Sequence, residues 1–237
     1  MLHDFVIDKV NLDSYLKALG KAFRKLNGTK TPAEIIIVGG ASILINYGFR
    51  DMTTDIDAII QASSAMKEAI NIVRDEMKLP NAWINTDFKQ TCSYSSKLVQ
   101  YSKYYKTFSN ILEIRTISGE YLIAMKLMSG RNYKNDLSDI VGILIEQESK
   151  NKPITLDNIK KAVIDLYGSY DEISNESKTF IENIFRQGNY RNYYLSLKNT
   201  ELSNFNSLVD FEVQYPDVLT TSNLNEILNA IHSKQKQ

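Results

Sequence analysis

Two aspartates separated by a single residue, Asp55 and Asp57, form the pattern in this sequence with the clearest chemical meaning. They lie in residues 54–60, a run typical of a β-strand, in which alternate side chains point to the same face. Two carboxylates held that close repel each other unless a cation lies between them. Mg²⁺ suits such a pair, because it binds a few carboxylates and completes its coordination with substrate phosphates.

A Gly-Gly pair, Gly39 and Gly40, follows the apolar run of residues 34–38 and precedes a short apolar helix predicted over residues 41–47. Glycines at a helix N-terminus let backbone N–H groups approach a phosphate closely. With the carboxylates, the turn could hold a metal–triphosphate complex and promote in-line transfer by positioning and charge neutralisation. Taken singly, the two patterns are equally well explained by solvated carboxylates at a strand edge and by an ordinary tight turn.

Hydrophobic periodicity predicts the elements that must position these residues. Strands are predicted over residues 34–38, 54–60 and 110–117, with further strands and loops between 81 and 117. Helices are predicted over residues 11–27, 41–47, 64–77, 119–129, 136–148, 156–167, 172–186 and 224–231. Residues 150–153 read as a linker, so we expect an α+β domain over residues 1–150 and an α-helical domain over residues 151–237.

Composition excludes several classes of protein. The 28 Lys+Arg balance the 28 Asp+Glu, which argues against a protein that coats nucleic acid without specificity. A single cysteine excludes an intramolecular disulfide and a cysteine-rich zinc module, and it favours the reducing cytoplasm. The two histidines near opposite ends argue against a histidine-based metal site. No stretch approaches the roughly 18 apolar residues of a membrane helix, so no membrane partner is expected.

The order of the two patterns resembles the nucleotidyltransferase superfamily with the DNA polymerase β-like fold. Its signature is a Gly-Gly or Gly-Ser turn after a strand, then a helix, then Asp-x-Asp on the next strand, as in residues 38–60, VGGASILINYGFRDMTTDIDAII. The residues of this segment most resemble the bacterial branch that includes AbiEii-type toxins, where an Arg and a Thr precede the Asp-x-Asp. Arg50 and Thr53 occupy those places and are implied to bind the nucleotide. The resemblance implies a mixed β-sheet flanked by helices, followed by an α-helical C-terminal domain.

A second block, residues 118–144, resembles the same branch, which has a Lys in a helix, then an Arg, then an acidic helix. The resemblance implies that Lys126 neutralises phosphate charge, that Arg131 binds the nucleotide and that Asp136 supports or orients the lysine. A plain solvated position on the helix is the alternative for Lys126. Asp136 and Asp139 share a helix face, and both could instead be acids favoured by the helix dipole.

The resemblance assigns the remaining roles to the first block and to one later strand. Asp55 and Asp57 are implied to bind Mg²⁺ and the nucleoside triphosphate, and Gly39 and Gly40 to cradle its phosphates. Where relatives have Gly-Ser, Gly40 supplies no hydroxyl, so that backbone donors must suffice.

Many members of the superfamily carry a third carboxylate on a later strand. Glu113, in the strand predicted over residues 110–117, is the candidate for this third metal ligand. Arg115 lies two residues along on the same face, and a plain salt bridge between the two side chains is the alternative.

The implied activity is Mg²⁺-dependent transfer of a nucleoside monophosphate from a triphosphate to an acceptor hydroxyl. The toxin-like branch further implies an RNA acceptor, such as the end of a transfer RNA, and a cognate antitoxin protein. Residues 97–134 carry seven Lys+Arg against two acids, interleaved with tyrosines, which mildly favours RNA. Two alternatives are a non-catalytic module that binds a nucleotide or a protein, and an enzyme that modifies a small hydroxylated molecule.

Overall fold

A mixed β-sheet forms the centre of the molecule in the computed structural model, which describes residues 5–29, 31–131, 134–220 and 223–235. Five strands are present across these residues, in the order β3-β2-β1-β5-β4. Their bounds are β1 Ala33–Ile37, β2 Ile56–Gln61, β3 Ile84–Asn85, β4 Ser102–Phe108 and β5 Leu112–Ile117. β1 is antiparallel to β2 and parallel to β5, while β2 is parallel to β3. The end of β1 therefore lies between the start of β2 and the end of β5.

Helices cover both faces of this sheet. They are α1 Lys9–Asn27, α2 Gly39–Asn46, α3 Ala65–Met77, α4 Gly119–Ser129, α5 Asp136–Ser149, α6 Leu156–Tyr167, α7 Asn175–Gln187, α8 Tyr190–Gln214 and α9 Leu224–Gln235. The predicted α+β class, with a mixed sheet flanked by helices and a helical C-terminal region, is confirmed. Every helix among the described residues is too short or too polar to cross a bilayer.

The apolar β1 strand contributes to two separate hydrophobic clusters because its alternate side chains point to opposite faces. Ile35 packs with α1 and α3 on one face, in contact with residues such as Phe23. Ile36 packs with α4 and α5 on the other face, together with Ile123 and Ile140. The second half of β1 is thus buried on both sides, which explains why Ile35, Ile36 and Ile37 form an unbroken apolar run rather than an alternating pattern.

The second of these clusters continues through the predicted linker into the C-terminal helices. Ile159 and Val163 of α6 and Ile184 of α7 belong to the same cluster as Ile123 of α4. The predicted division at residue 150 therefore falls between helices that share one hydrophobic core.

The 25-residue helix α8 was not predicted from the sequence. Its fully buried residues are Glu201, Asn204 and Leu208, and its first turns pack partly buried apolar side chains against the core, among them Tyr194 and Leu197. Helix prediction from periodicity depends on a continuous apolar stripe, and the stripe of α8 is interrupted by the buried polar residues Glu201 and Asn204.

Candidate active site

The turn between β1 and α2 brings the chain backbone directly against one aspartate. Gly39 has φ +58, and a Cβ built on it would lie 3.2 Å from Oδ2 of Asp57. The backbone N–H of Val38 donates to the carbonyl oxygen of Asp57 at 2.9 Å, which fixes the turn beside the start of β2. Glycine is therefore required here both by its positive φ and by the close approach.

The second glycine of the turn lies against the arginine and threonine of the first motif. A Cβ on Gly40 would lie 2.8 Å from both Arg50 Nη2 and Thr53 Oγ1. Arg50 is anchored by its Nε, which donates to the carbonyl of Met52 at 3.0 Å, and Thr53 by an isolated β-bridge to Ile7. The space that a serine side chain would take in relatives is thus filled by a guanidinium and a hydroxyl.

The Asp-x-Asp pair lies half-buried at the start of β2. The pKa of Asp57 is raised to about 6, first by burial and then by the charge of Asp55, and the cations of Lys134 and Arg131 oppose this shift. Asp55 accepts a long hydrogen bond of 3.4 Å from Nδ2 of Asn85 on β3. Neither aspartate forms an ion pair with any described residue. The pair therefore fits a divalent cation, which would supply the missing positive charge.

Two carboxylates are fewer ligands than a self-sufficient metal site needs. Among the described residues, no cluster of three or more His, Cys, Asp or Glu side chains could hold a metal ion. A Mg²⁺ ion held by the pair would have to complete its coordination with water and substrate phosphates.

A chain of buried ion pairs links α4 to α5 and to the first motif. Lys126 Nζ lies 2.8 Å from carboxylate oxygens of both Asp136 and Asp139. Nε of Arg131 donates to Asp136 at 2.8 Å, and Arg50 pairs with Asp139. Three cations share two carboxylates, so these five side chains carry one net positive charge. We call them the cationic cluster.

In the cationic cluster, the ion pairs shift the pKa values of Lys126 and Asp136 in the direction opposite to burial, and the ion pairs dominate. Lys126, Asp136 and Asp139 are only 7%, 2% and 3% exposed. Burial alone would raise the pKa of Asp136, but Lys126 and Arg131 hold it well below its usual range. Burial would likewise lower the pKa of Lys126, yet the charges of Asp136 and Asp139 raise it. Lys126 and Asp136 are therefore both charged at neutral pH.

A small cavity of about 50 Å³ joins the two motif blocks. Gly39 and Asp57 of the first block and Lys126 and Arg131 of the second all line it. The other lining residues are Val38, Phe88, Thr91, Ser93, Leu122, Met125 and Ser129. A larger groove of about 690 Å³ lies between α1 and α3 and shares none of these residues. Phe88, Thr91 and Ser93 come from the segment after β3, where no motif in the sequence marked them.

The structure places Glu113 apart from the aspartate pair. Glu113 lies opposite Glu34 near the start of β1, whereas Asp57 lies beside the end of that strand. Four strand residues separate the two levels, or about 13 Å at 3.3 Å per residue. Arg115 Nη1 lies 2.8 Å from Glu113 Oε1, which is the salt bridge given above as the alternative. The β5 residue that continues this face toward the aspartates is Ile117, which is fully buried.

A carboxylate that the sequence gave no reason to single out caps the helix that carries Asp136 and Asp139. Oε1 of Glu201, on α8, accepts hydrogen bonds from the backbone N–H groups of Leu137 at 2.8 Å and Ser138 at 3.2 Å. Its Oε2 is buried and has no hydrogen-bond partner among the described residues. Burial raises the pKa of Glu201 to about 7, and Asp139 adds to the shift. The two backbone hydrogen bonds oppose it.

The comparisons with known proteins concern the region that builds this site. Residues 14–180 match the model of a family described as "nucleotidyltransferase of unknown function (DUF6036)". The match covers β1 to β5 and the helices from most of α1 into the first half of α7. Comparison with curated proteins and with solved structures finds no match.

Proposed function

The chain belongs to this nucleotidyltransferase family, and we propose that it moves a nucleoside monophosphate from a triphosphate to an acceptor hydroxyl in a Mg²⁺-dependent reaction. One observation carries the proposal. A single cavity is lined by Gly39 of the glycine turn, by Asp57 of a pair that forms no ion pair with a described residue, and by Lys126 and Arg131 of the cluster with net positive charge. A triphosphate with a divalent cation would supply the charges that these three parts lack.

The residues would divide the work between binding and charge neutralisation. Asp55 and Asp57 would hold Mg²⁺, which when bound supplies positive charge to the triphosphate and to the leaving group. Backbone N–H groups at the N-terminus of α2 would donate to phosphate oxygens. Arg50, beside Gly40, would add positive charge at the same turn. The acceptor oxygen would attack the α-phosphorus. The bond between the α-phosphorus and the oxygen that bridges it to the β-phosphate would then break, and pyrophosphate would leave.

Lys126 is suited to hold the site together and to contact a phosphate at the same time. An ammonium group has three N–H donors, and two of those on Lys126 are directed at Asp136 and Asp139. No described residue accepts from the third, which would be available to a phosphate oxygen at the cavity that Lys126 lines. Asp136, also bound by Arg131, would orient the lysine rather than contact the substrate.

An RNA acceptor fits the exposed surface of the edge strand β4. Tyr104 is 59% exposed, and the neighbouring Lys103 and Lys106 are also exposed. Exposed tyrosine and lysine side chains together can stack a base and bind phosphate. With the resemblance to AbiEii-type toxins, this supports a transfer-RNA end as acceptor and a cognate antitoxin as partner, with the reaction in the cytoplasm.

Transfer of label from each nucleoside triphosphate in turn tests the proposal. Purified protein is incubated in Mg²⁺ with transfer RNA, total RNA or a protein lysate, and the labelled fraction identifies the acceptor. Asp57→Asn should reduce incorporation about 1,000-fold, because the cation loses a ligand. The control is Asp75→Asn, which alters an exposed aspartate of α3 that pairs with Arg74 and should leave incorporation unchanged. Wild-type turnover by Asp57→Asn would reject the proposal.

A further inference from the structure

A third aspartate lies beside the Asp-x-Asp pair, on the side of β3. β3 is parallel to β2, with Ile84 opposite Ile56 and Asn85 opposite Asp57. The strand ends there, and a 3-10 turn, Asp87–Gln90, begins two residues later. Asp87 therefore follows closely on the residue that lies directly across the sheet from Asp57.

Hydrogen bonds tie this turn to the aspartate pair. Oδ1 of Asn85 accepts from the backbone N–H of Asp87 at 2.9 Å, while Nδ2 of the same side chain donates to Asp55 at 3.4 Å. Phe88, which is buried, and Thr91 both follow Asp87 and line the cavity shared with Asp57. The segment that presents Asp87 is thus one wall of the candidate active site.

The negative charge of Asp87 acts on Asp57, and no described residue forms an ion pair with Asp87. Asp87 is exposed and forms no ion pair within the part of the chain that the structure describes. Its negative charge acts in the same direction as that of Asp55 on the pKa of Asp57. Asp87 does not form a three-carboxylate metal cluster with the pair, since the described residues contain none. It is close to the site, charged and open to a second substrate.

We propose that Asp87 is the general base of the transfer reaction, an assignment that rests on the proposed function. As the acceptor oxygen forms its bond to the α-phosphorus, the hydroxyl proton passes to the Asp87 carboxylate. The bond from the α-phosphorus to the bridging oxygen breaks with its electron pair, and pyrophosphate departs. The proton then leaves Asp87 for water. Many superfamily members have an acid for this role on a later strand. In this chain Asp87 would take the role from the other side of β2, after β3, where it is exposed to solvent.

The assignment is tested by comparing two variants, Asp87→Asn and Glu113→Gln, each of which neutralises one candidate third acid. Labelled transfer to the acceptor fraction gives kcat and the KM for the triphosphate. Calorimetry with Mg²⁺ and a non-hydrolysable triphosphate analogue gives binding separately. Asp87→Asn should lower kcat about 100-fold, in the range of general-base contributions. Its KM and its affinity for the analogue should stay within about threefold, since a base does not hold the nucleotide. Glu113→Gln should leave all three quantities unchanged.

Three outcomes would overturn the assignment. A kcat for Asp87→Asn within threefold of wild type would show that no proton transfer depends on it. Loss of analogue binding together with kcat would make Asp87 a binding or structural residue. Loss of kcat by Glu113→Gln, with Asp87→Asn active, would return the role to β5. Absence of transfer by the wild-type protein would instead overturn the proposed function and this assignment together.

Discussion

Two pairs of aspartates in this molecule have similar spacing and opposite surroundings. Asp136 and Asp139, three residues apart on α5, are both buried and are bound by Lys126, Arg131 and Arg50. Asp55 and Asp57, two residues apart at the start of β2, form no ion pair with a described residue. The pKa of Asp136 lies far below its usual range, whereas that of Asp57 is raised to about 6.

The difference is in charge balance. The charges of Asp136 and Asp139 are compensated by described cations, so their cluster is complete, whereas those of Asp55 and Asp57 are not, so their pair is incomplete. Charges neutralised by the chain itself hold helices in place and tune the local field. Charges left uncompensated cost stability and are kept where a ligand compensates them. Asp57 of the incomplete pair and Lys126 and Arg131 of the completed cluster line one cavity. In the proposed reaction, the completed cluster would therefore form the wall against which a cation and a triphosphate are held.

The largest expected contrast is between Asp57→Asn and Asp136→Asn in activity and stability together. Asp57→Asn should lose about 1,000-fold in transfer. Its free energy of unfolding at pH 8 should nevertheless rise by about 1–2 kcal/mol, an estimate reduced for partial exposure. The reason is the raised pKa of Asp57, since the ionised carboxylate disfavours the fold at pH values above about 6. Urea denaturation measures the change, and a less stable Asp57→Asn at pH 8 would contradict the comparison.

Asp136→Asn should instead destabilise the fold by about 3 kcal/mol, because it leaves the buried Lys126 and the half-buried Arg131 with one carboxylate fewer. The pKa of Asp136 is depressed, so the stability it contributes is present above its unfolded pKa and is lost only in strong acid. The loss should therefore be the same at pH 6 and pH 8 in urea denaturation. Asp171→Asn, in an exposed pair with Lys178, is the control and should change stability by less than about 0.5 kcal/mol.

Magnesium should stabilise the protein at pH 8 more than at pH 5. With its pKa near 6, Asp57 is ionised at pH 8 and largely protonated at pH 5, where it cannot bind a cation. At about ten times the dissociation constant, the ion adds about 1.4 kcal/mol to the free energy of unfolding. Thermal melts with MgCl₂, against NaCl of equal ionic strength, report the shift. An equal Mg²⁺ effect in Asp57→Asn would place the ion elsewhere.

The smallest expected effect concerns Glu201, which resembles the incomplete pair in having an unpartnered carboxylate oxygen. Its pKa of about 7 lies above its unfolded value, so stability falls as pH rises between about 4.5 and 7 and the penalty is complete above 7. Glu201→Gln keeps the acceptor for Leu137 and Ser138 and should add about 1 kcal/mol at pH 8 and nothing at pH 5. Glu201→Ala removes that acceptor and should destabilise at both pH values.

The sequence was sufficient for the parts of the site that lie within continuous motifs. Gly39 with Asp57, and Lys126 with Asp136, were predicted because each block keeps its spacing and follows or contains a strongly apolar element. The cavity shows that the two blocks meet. The roles assigned to these residues stay predictions until activity is measured.

The rest depended on register and on tertiary contacts. Glu113 was placed on the right strand, but alternation gives the face of a side chain and not its level along the sheet. β3 has only two residues, too few for a pattern, so nothing in the sequence connected Asp87 with Asp57. α8 was not predicted because its buried residues Glu201 and Asn204 are polar, and their burial depends on the packing of α8 against α5.

The contact at Gly40 has a consequence for how members of this family can differ from one another. A side chain at position 40 and the guanidinium of Arg50 compete for one volume, together with the hydroxyl of Thr53. A relative with serine at position 40 should therefore have a shorter residue at position 50 or 53, or a displaced arginine. The three positions should vary as a set across the family, with the phosphate contacted either by a hydroxyl from the turn or by an arginine from the following loop.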